Sequence, residues 1–224
     1  MSQRFESMSS PAMNIASENG QVARVLRNTF MLLGLLLAFS SFTAWYSMAN
    51  DLPRPNVWLI LGGFYGLFFL INMTKNSGLG LVFSFALTGF MGYTIGPVLN
   101  AFIAAGAESA ITMSLGLTAV TFVGLAGFAL VTRKDFSGMS GFLAAGGLVL
   151  IVTMIANIFL QIPALHMALS AAIAFFASAC ILFEVSRIVN GGERNYIMAA
   201  VGLFVSIYNL FMSLLSLIGM ANSE

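Results

Sequence analysis

The sequence is poor in the groups that soluble proteins carry on their surfaces. Only 8% of its 224 residues are charged, against about 25% in an ordinary soluble domain. It has one histidine and one cysteine. The lone cysteine, Cys180, excludes an intramolecular disulfide, and no Cys/His cluster suggests a metal. A net charge of +1 gives no basic excess that would draw nucleic acid. There is no P-loop and no H-E-x-x-H motif, so the sequence implies no cofactor.

The chain is instead dominated by apolar runs, with 59% hydrophobic residues and a mean hydropathy of +0.94. No soluble fold could cover that much apolar surface, so the solvent is lipid. The first run starts near Thr29 and lasts about 20 residues. That is longer than a signal-peptide core, and no small-residue cleavage site closes it, so it reads as a retained first span. The runs are continuous rather than alternating, which excludes a membrane β-barrel.

A bilayer core needs roughly 20 apolar residues per helix. The run 136–183 is too long for one. It divides at "NIFLQIPALH", where Asn157 and Gln161 are polar and Pro163 suits the first turn of a new helix. The result is an all-α, seven-span bundle with helices near 29–49, 57–73, 79–104, 109–131, 141–160, 163–188 and 196–220. With the N-terminus inside, the inner segments hold Arg4, Arg24, Arg27, Lys75, Arg133, Lys134, Arg187 and Arg194, and the outer segments only Arg54. This asymmetry predicts a cytoplasmic N-terminus and an external C-terminus, residues 221–224. Residues 1–28 are polar and rich in Ser, Asn and Gln, and read as a disordered cytoplasmic tail.

Gly62-xxx-Gly66 in the second helix and Gly92-xxx-Gly96 in the third permit close helix approach, within the bundle or at a dimer face. Pro97 should kink the third helix and free backbone carbonyls, which line a cavity or find neighbours. In the seventh helix Ala199, Gly202, Ser206, Asn209, Ser213 and Ser216 follow at steps of three and four, forming one small or polar face. Facing lipid would be costly, so this face either packs or lines a water-accessible cavity. "GMSG" (Gly138 to Gly141) is similar to an intramembrane serine protease motif. Ser140 and His166, however, fall at opposite ends of the fifth helix, roughly 30 Å apart, beyond nucleophile–base reach.

Two charged clusters remain. In "ILFEVSRIVNGGERNYI" Glu184 lies about a turn inside the end of the sixth helix. One reading pairs it with Arg187, three residues on. The other makes it a lone buried acid facing Ser206 and Asn209, a candidate proton- or ion-sensing group. Ser206 lies deeper by roughly 8 Å, judged from the helix rise. Gly191 or Gly192 can take a left-handed cap, and Glu193 and Arg194 read as loop charges. In "TRKDFS", Arg133 and Lys134 anchor the topology, and Asp135 or Ser137 can cap the next helix. Arg133, Lys134 and Asp135 together are a candidate contact for a cytoplasmic partner.

"VLRNTF", "GFMGYTIGPVLN", "TRKDFSGMSGFL", "IPALH", "ILFEVSRIVNGGERNYI" and "SIYNLFMSLLSLIG", in this order and spacing from Val25 onward, resemble the Bax inhibitor-1 family, most closely its bacterial YccA-like branch. The resemblance implies a bundle whose seventh helix is central and wrapped by the other six. It implies two functions: modulation of FtsH, the membrane-anchored AAA protease, by a non-enzymatic inner-membrane protein that is also its substrate, or a pH-sensitive calcium leak. In the leak, an acid on the sixth helix and one on the seventh share a proton. By resemblance the first acid falls at Glu184. The seventh-helix pattern falls on "SIYNLF", which replaces the second acid with Ser206. Glu with Ser has no like-charge repulsion to gate a switch, and the second helix offers no Arg or Lys as a partner.

Overall fold

The computed structural model describes residues 11–221, with side chains from residue 20 onward. Its elements are α1 (Pro11–Ala49), α2 (Val57–Thr74), α3 (Gly78–Ala104), α4 (Glu108–Thr132), α5 (Ser140–Leu160), α6 (Pro163–Val189) and α7 (Tyr196–Ala221), with one 3-10 turn, Ser137–Met139, before α5. Among the described residues, seven helices are long and apolar enough to cross a membrane. The chain is therefore an all-α integral membrane protein.

Helix boundaries follow from local chemistry. Asn56 caps α2, its side chain accepting from the Trp58 N–H at 3.0 Å. Pro163 opens α6, where its missing N–H costs nothing. Asn157 helps end α5 by accepting the Ile162 N–H at 3.3 Å. Gly191 closes α6 with φ +73°, and the Gly192 N–H returns to the Arg187 carbonyl at 2.8 Å. Gly191, rather than Gly192, is thus the left-handed cap.

The N-terminal segment differs from expectation. A disordered tail to residue 28 is the sequence reading, yet α1 begins at Pro11. Residues 1–10, with Arg4, and residues 222–224 lie outside the described residues. The physical reason is an amphipathic pattern that the polar composition conceals. Val25 and Leu26 pack against the core, and Thr29 and Leu33 are buried, while Arg24 and Arg27 stay exposed. That spacing gives one helical face to the protein and one to water.

Helix α7 occupies the centre and touches α1, α3, α4 and α6, whereas α2 rests on α3 and α5 on α6. Lipid is as apolar as leucine, so helices associate through close contact and not through the hydrophobic effect. The pairing of α1 with α3 illustrates this. A Cβ on Gly92 would collide with Thr43 and the Ser40 carbonyl, and one on Gly96 would fall 2.5 Å from the Ser47 Cβ. Pro97 lacks the N–H that would bond the Tyr93 carbonyl. Ser47 supplies the replacement, donating its hydroxyl to that carbonyl at 3.0 Å. The freed group is satisfied by a neighbour.

The glycines of α2 behave differently. Gly62 and Gly66 are not buried, and a Cβ added at either would meet nothing within 4 Å. Gly92→Val should therefore destabilise the protein by about 2–3 kcal/mol through overpacking, while Gly62→Val should stay within about 0.5 kcal/mol of the parent. Denaturant titration in detergent micelles, followed by circular dichroism, measures both. Equal losses from the two would refute the close packing of α3 on α1.

Candidate functional site

Two ends of the bundle can be distinguished. The basic end holds the first turns of the core-packed part of α1 and the α2–α3, α4–α5 and α6–α7 connections, with Arg24, Arg27, Lys75, Arg133, Lys134, Arg187 and Arg194. The far end holds the α1–α2, α3–α4 and α5–α6 connections.

Helices α6 and α7 run antiparallel and meet along the small, polar face of α7. Near the basic end the Glu184 carboxyl lies against Gly202. A Cβ there would sit 3.0 Å from Glu184 Oε1 and 3.2 Å from its Cδ. The missing side chain makes the room for the acid. Near the far end, His166 Nε2 lies 3.0 Å from Ser216 Oγ. Ser170 Oγ donates to the His166 carbonyl at 2.9 Å and to Ser216 Oγ at 3.3 Å. The histidine therefore ties the two helices together. Ser140 and His166 sit at opposite ends of α5, as the sequence implies.

The site residues read from the sequence are only partly brought together. Glu184 does face α7, but its neighbour there is Gly202, one turn before Ser206. Ser206 is buried and donates to the Gly202 carbonyl at 3.0 Å, which leaves its hydroxyl engaged within its own helix. Asn209 is exposed, away from the acid. The pairing of Glu184 with Arg187 is also replaced. Arg187 bonds Glu193 at 3.0 Å, so Glu193 is more than a loop charge.

Glu193 begins a network that sequence reasoning missed. Its Oε1 accepts the Asn195 N–H at 2.8 Å. Asn195 caps α7, accepting from the Ile197 and Met198 N–H groups at 3.1 and 3.0 Å. Its amide also donates to the Lys75 carbonyl and to Asn76 Oδ1, both at 2.9 Å. One residue thus starts the central helix and ties down the α2–α3 connection. The available signal was an Asn directly before a charge-free run, a capping pattern.

The α4–α5 connection is held from the other side. Ser186 Oγ donates to the Lys134 carbonyl at 2.8 Å and accepts the Phe136 N–H at 3.1 Å. Asn190 donates to the same carbonyl at 3.3 Å. Asp135 accepts from the Ser137 N–H at 2.8 Å, starting the turn before α5. The backbone is fixed while the side chains of Arg133, Lys134 and Asp135 remain exposed. No group of three or more metal-ligating side chains occurs among the described residues.

Comparison with known proteins gives a consistent result. The family model described as "Inhibitor of apoptosis-promoting Bax1" matches residues 22–223. The "Modulator of FtsH protease YccA" of Escherichia coli K12 is 50% identical over 201 residues, covering 90% of this chain and 92% of that protein. An uncharacterized protein of Pseudomonas aeruginosa is 51% identical over 209 residues, 93% and 94% of the two chains. An uncharacterized membrane protein of Vibrio cholerae is 41% identical over 204 residues, 90% and 91% of the two.

The capping network yields a graded expectation. Asn195→Ala removes both the cap and the tie to Lys75 and should cost about 1–2 kcal/mol. Asn195→Asp retains the cap and loses only the amide donors, so its loss should be smaller. Denaturant titration of the three proteins in detergent checks the order, and an aspartate variant as unstable as the alanine would show that the cap contributes little.

Proposed function

This chain belongs to the Bax inhibitor-1 family, and on that premise we propose that it is a non-enzymatic regulatory protein of the bacterial inner membrane that binds FtsH and modulates it. The observation that carries the proposal is 50% identity across nine-tenths of both chains to a protein named as a modulator of that protease. The positive-inside bias supports a cytoplasmic basic end. Arg133, Lys134 and Asp135 there are exposed on a backbone anchored by Ser186 and Asn190, which suits a surface for a cytoplasmic partner.

The chain also serves as a substrate in this reading. Residues 2–24 precede Val25, where α1 packs into the core, and provide a segment to grip. The packed bundle then resists extraction, so a gripped chain occupies the protease. With purified FtsH in liposomes, the full-length protein should slow degradation of an unrelated membrane substrate. Removal of residues 2–24 should slow turnover of the protein itself. If the full-length protein leaves degradation of the other substrate unchanged, the proposal fails.

A second reading is an ion or proton pathway, with calcium as a candidate ion, centred on Glu184 in the α6–α7 seam; Ser206, bonded within its own helix, and Asn209, exposed, do not join the acid there. It is favoured by one observation: Arg187 is committed to Glu193, leaving the Glu184 carboxyl on α7 without an ion pair among the described residues. The absence of a second acid at Ser206 weighs against a shared-proton latch. Flux into liposomes should fall severalfold with Glu184→Gln. Equal flux from parent and variant across pH removes Glu184 from any such pathway.

A further inference from the structure

Helix α1 is longer than its span requires. It runs from Pro11 to Ala49, 39 residues, where a bilayer core takes about 20. Its turns at the basic end do not project free into water. Val22, Val25 and Thr29 recur at steps of three and four and are covered, while Gln21, Arg24 and Arg27 are exposed. The covered face lies on the α6–α7 turn: a Cβ built on Gly191 would fall 3.8 Å from Val22 Cγ2. A small open pocket remains between helix and turn, lined by Gln21, Val22, Val25, Gly191, Glu193 and Arg194.

This contact is thin and apolar. Among the described residues, no hydrogen bond or ion pair joins residues 20–25 to the turn. Terminal turns are the least stable part of a helix, and Gly20 weakens this one further, because glycine costs a helix interior more than any residue but proline. A Cβ on Gly20 would meet nothing within 4 Å, so packing does not require the glycine. Beneath the contact, the Thr29 hydroxyl is fully buried and has no hydrogen-bond partner among the described residues. A buried hydroxyl of this kind is satisfied when water reaches it. Counted from the Val22–Gly191 contact, Thr29 lies seven residues along α1 and Glu184 seven residues back along α6. Both are therefore about 10 Å deeper at the helical rise. The unpartnered hydroxyl and the carboxyl without an ion pair share one level, on helices that touch each other and α7.

We propose that residues 20–25 of α1 form a movable cover over the α6–α7 turn, and that lifting it admits water from the basic end to the level of Thr29 and Glu184. Closed, Val22 and Val25 hold the helix against the turn at Gly191. Open, the first turns of α1 unwind and the pocket extends toward the α6–α7 seam. The turn beneath is the one whose Glu193 holds Arg187 and braces Asn195, the cap of the central helix. The cover therefore rests on the support of α7 itself. The device goes beyond both functional readings above, because it stands on contacts within this chain and needs no particular partner. A pull on the segment proposed as a grip would lift it before the span left the membrane.

The test measures thiol access in the full-length chain in nanodiscs, with Cys180→Ser as the background. Thr29→Cys and Glu184→Cys are the reporters. Ser40→Cys, also buried and about 16 Å further along α1 at the helical rise, is the control. The rate of modification by a charged methanethiosulfonate reads the access of water to each position. Val22→Ser combined with Val25→Ser should accelerate both reporters by roughly tenfold, as expected when two partly buried valines lose their contact, and leave position 40 unchanged. Gly20→Ala strengthens the helix without touching a neighbour, so it should slow both reporters by about two- to fivefold. This second variant tests the opposite sign in a protein with nothing removed from its core. Reporter rates that ignore these substitutions would overturn the cover. Equal acceleration at position 40 would mean general loosening, and acceleration confined to position 29 would remove the link to the acid; either result overturns the inference. Protease activity enters none of these readouts, so the cover and the FtsH proposal stand or fall separately.

Discussion

Lipid offers no hydrogen bonds, and most of this structure is an answer to that constraint. Each helix satisfies its own backbone internally, so the exposed points are the helix ends and the one internal proline. Pro97 frees the Tyr93 carbonyl and Ser47 of α1 takes it. The ends are closed by Asn56, Gly191 and Asn195. The polar side chains of the spans are rarely idle: Ser84, Thr88, Ser114 and Thr118 all return to carbonyls three or four residues back.

The same solvent removes the usual driving force for assembly. When the surroundings are as apolar as the core, helices gain by approaching closely. Glycine and serine therefore do in this chain what leucine does in a soluble core. Gly92 and Gly96 let α3 sit against the backbone of α1, and the small face of α7 admits α6. The same feature places the one acid of the α6–α7 seam, because the space left at Gly202 is where the Glu184 carboxyl lies. An acid accommodated by a missing side chain, with no second carboxylate opposite, distinguishes this seam from a paired-carboxylate latch.

The last turn of α6 organises the basic end. Ser186 and Asn190 hold the α4–α5 connection, and Arg187 holds Glu193, which braces Asn195, the cap of α7. Asn195 in turn holds the α2–α3 connection. Three connections thus share one support. A partner that engaged Arg133 and Lys134 would meet a surface mechanically continuous with the central helix, which links the exposed charges to the α6–α7 seam.

Much of this was legible in the residues themselves. Length and hydropathy determine the spans, because a helix must be long enough to cross and apolar enough to stay. The split at "NIFLQIPALH" follows from proline and asparagine chemistry, and the buried face of α7 follows from a step of three and four. Tertiary structure decided what depends on rotation and depth. Composition made residues 11–28 a tail, and only the docking of Val25 and Thr29 showed the amphipathic face of α1. Spacing made Arg187 the partner of Glu184, whereas the turn at Gly191 brought Glu193 to Arg187 instead. The α2 glycines carry the same motif as those of α3 yet touch nothing, since a motif permits close approach without naming the neighbour. Asn209 belongs to the same stripe as Ser206 and Ser213 but is exposed. Helical periodicity determines which residues share a face, and only the packing of α3 and α6 decides how far around that face the cover extends.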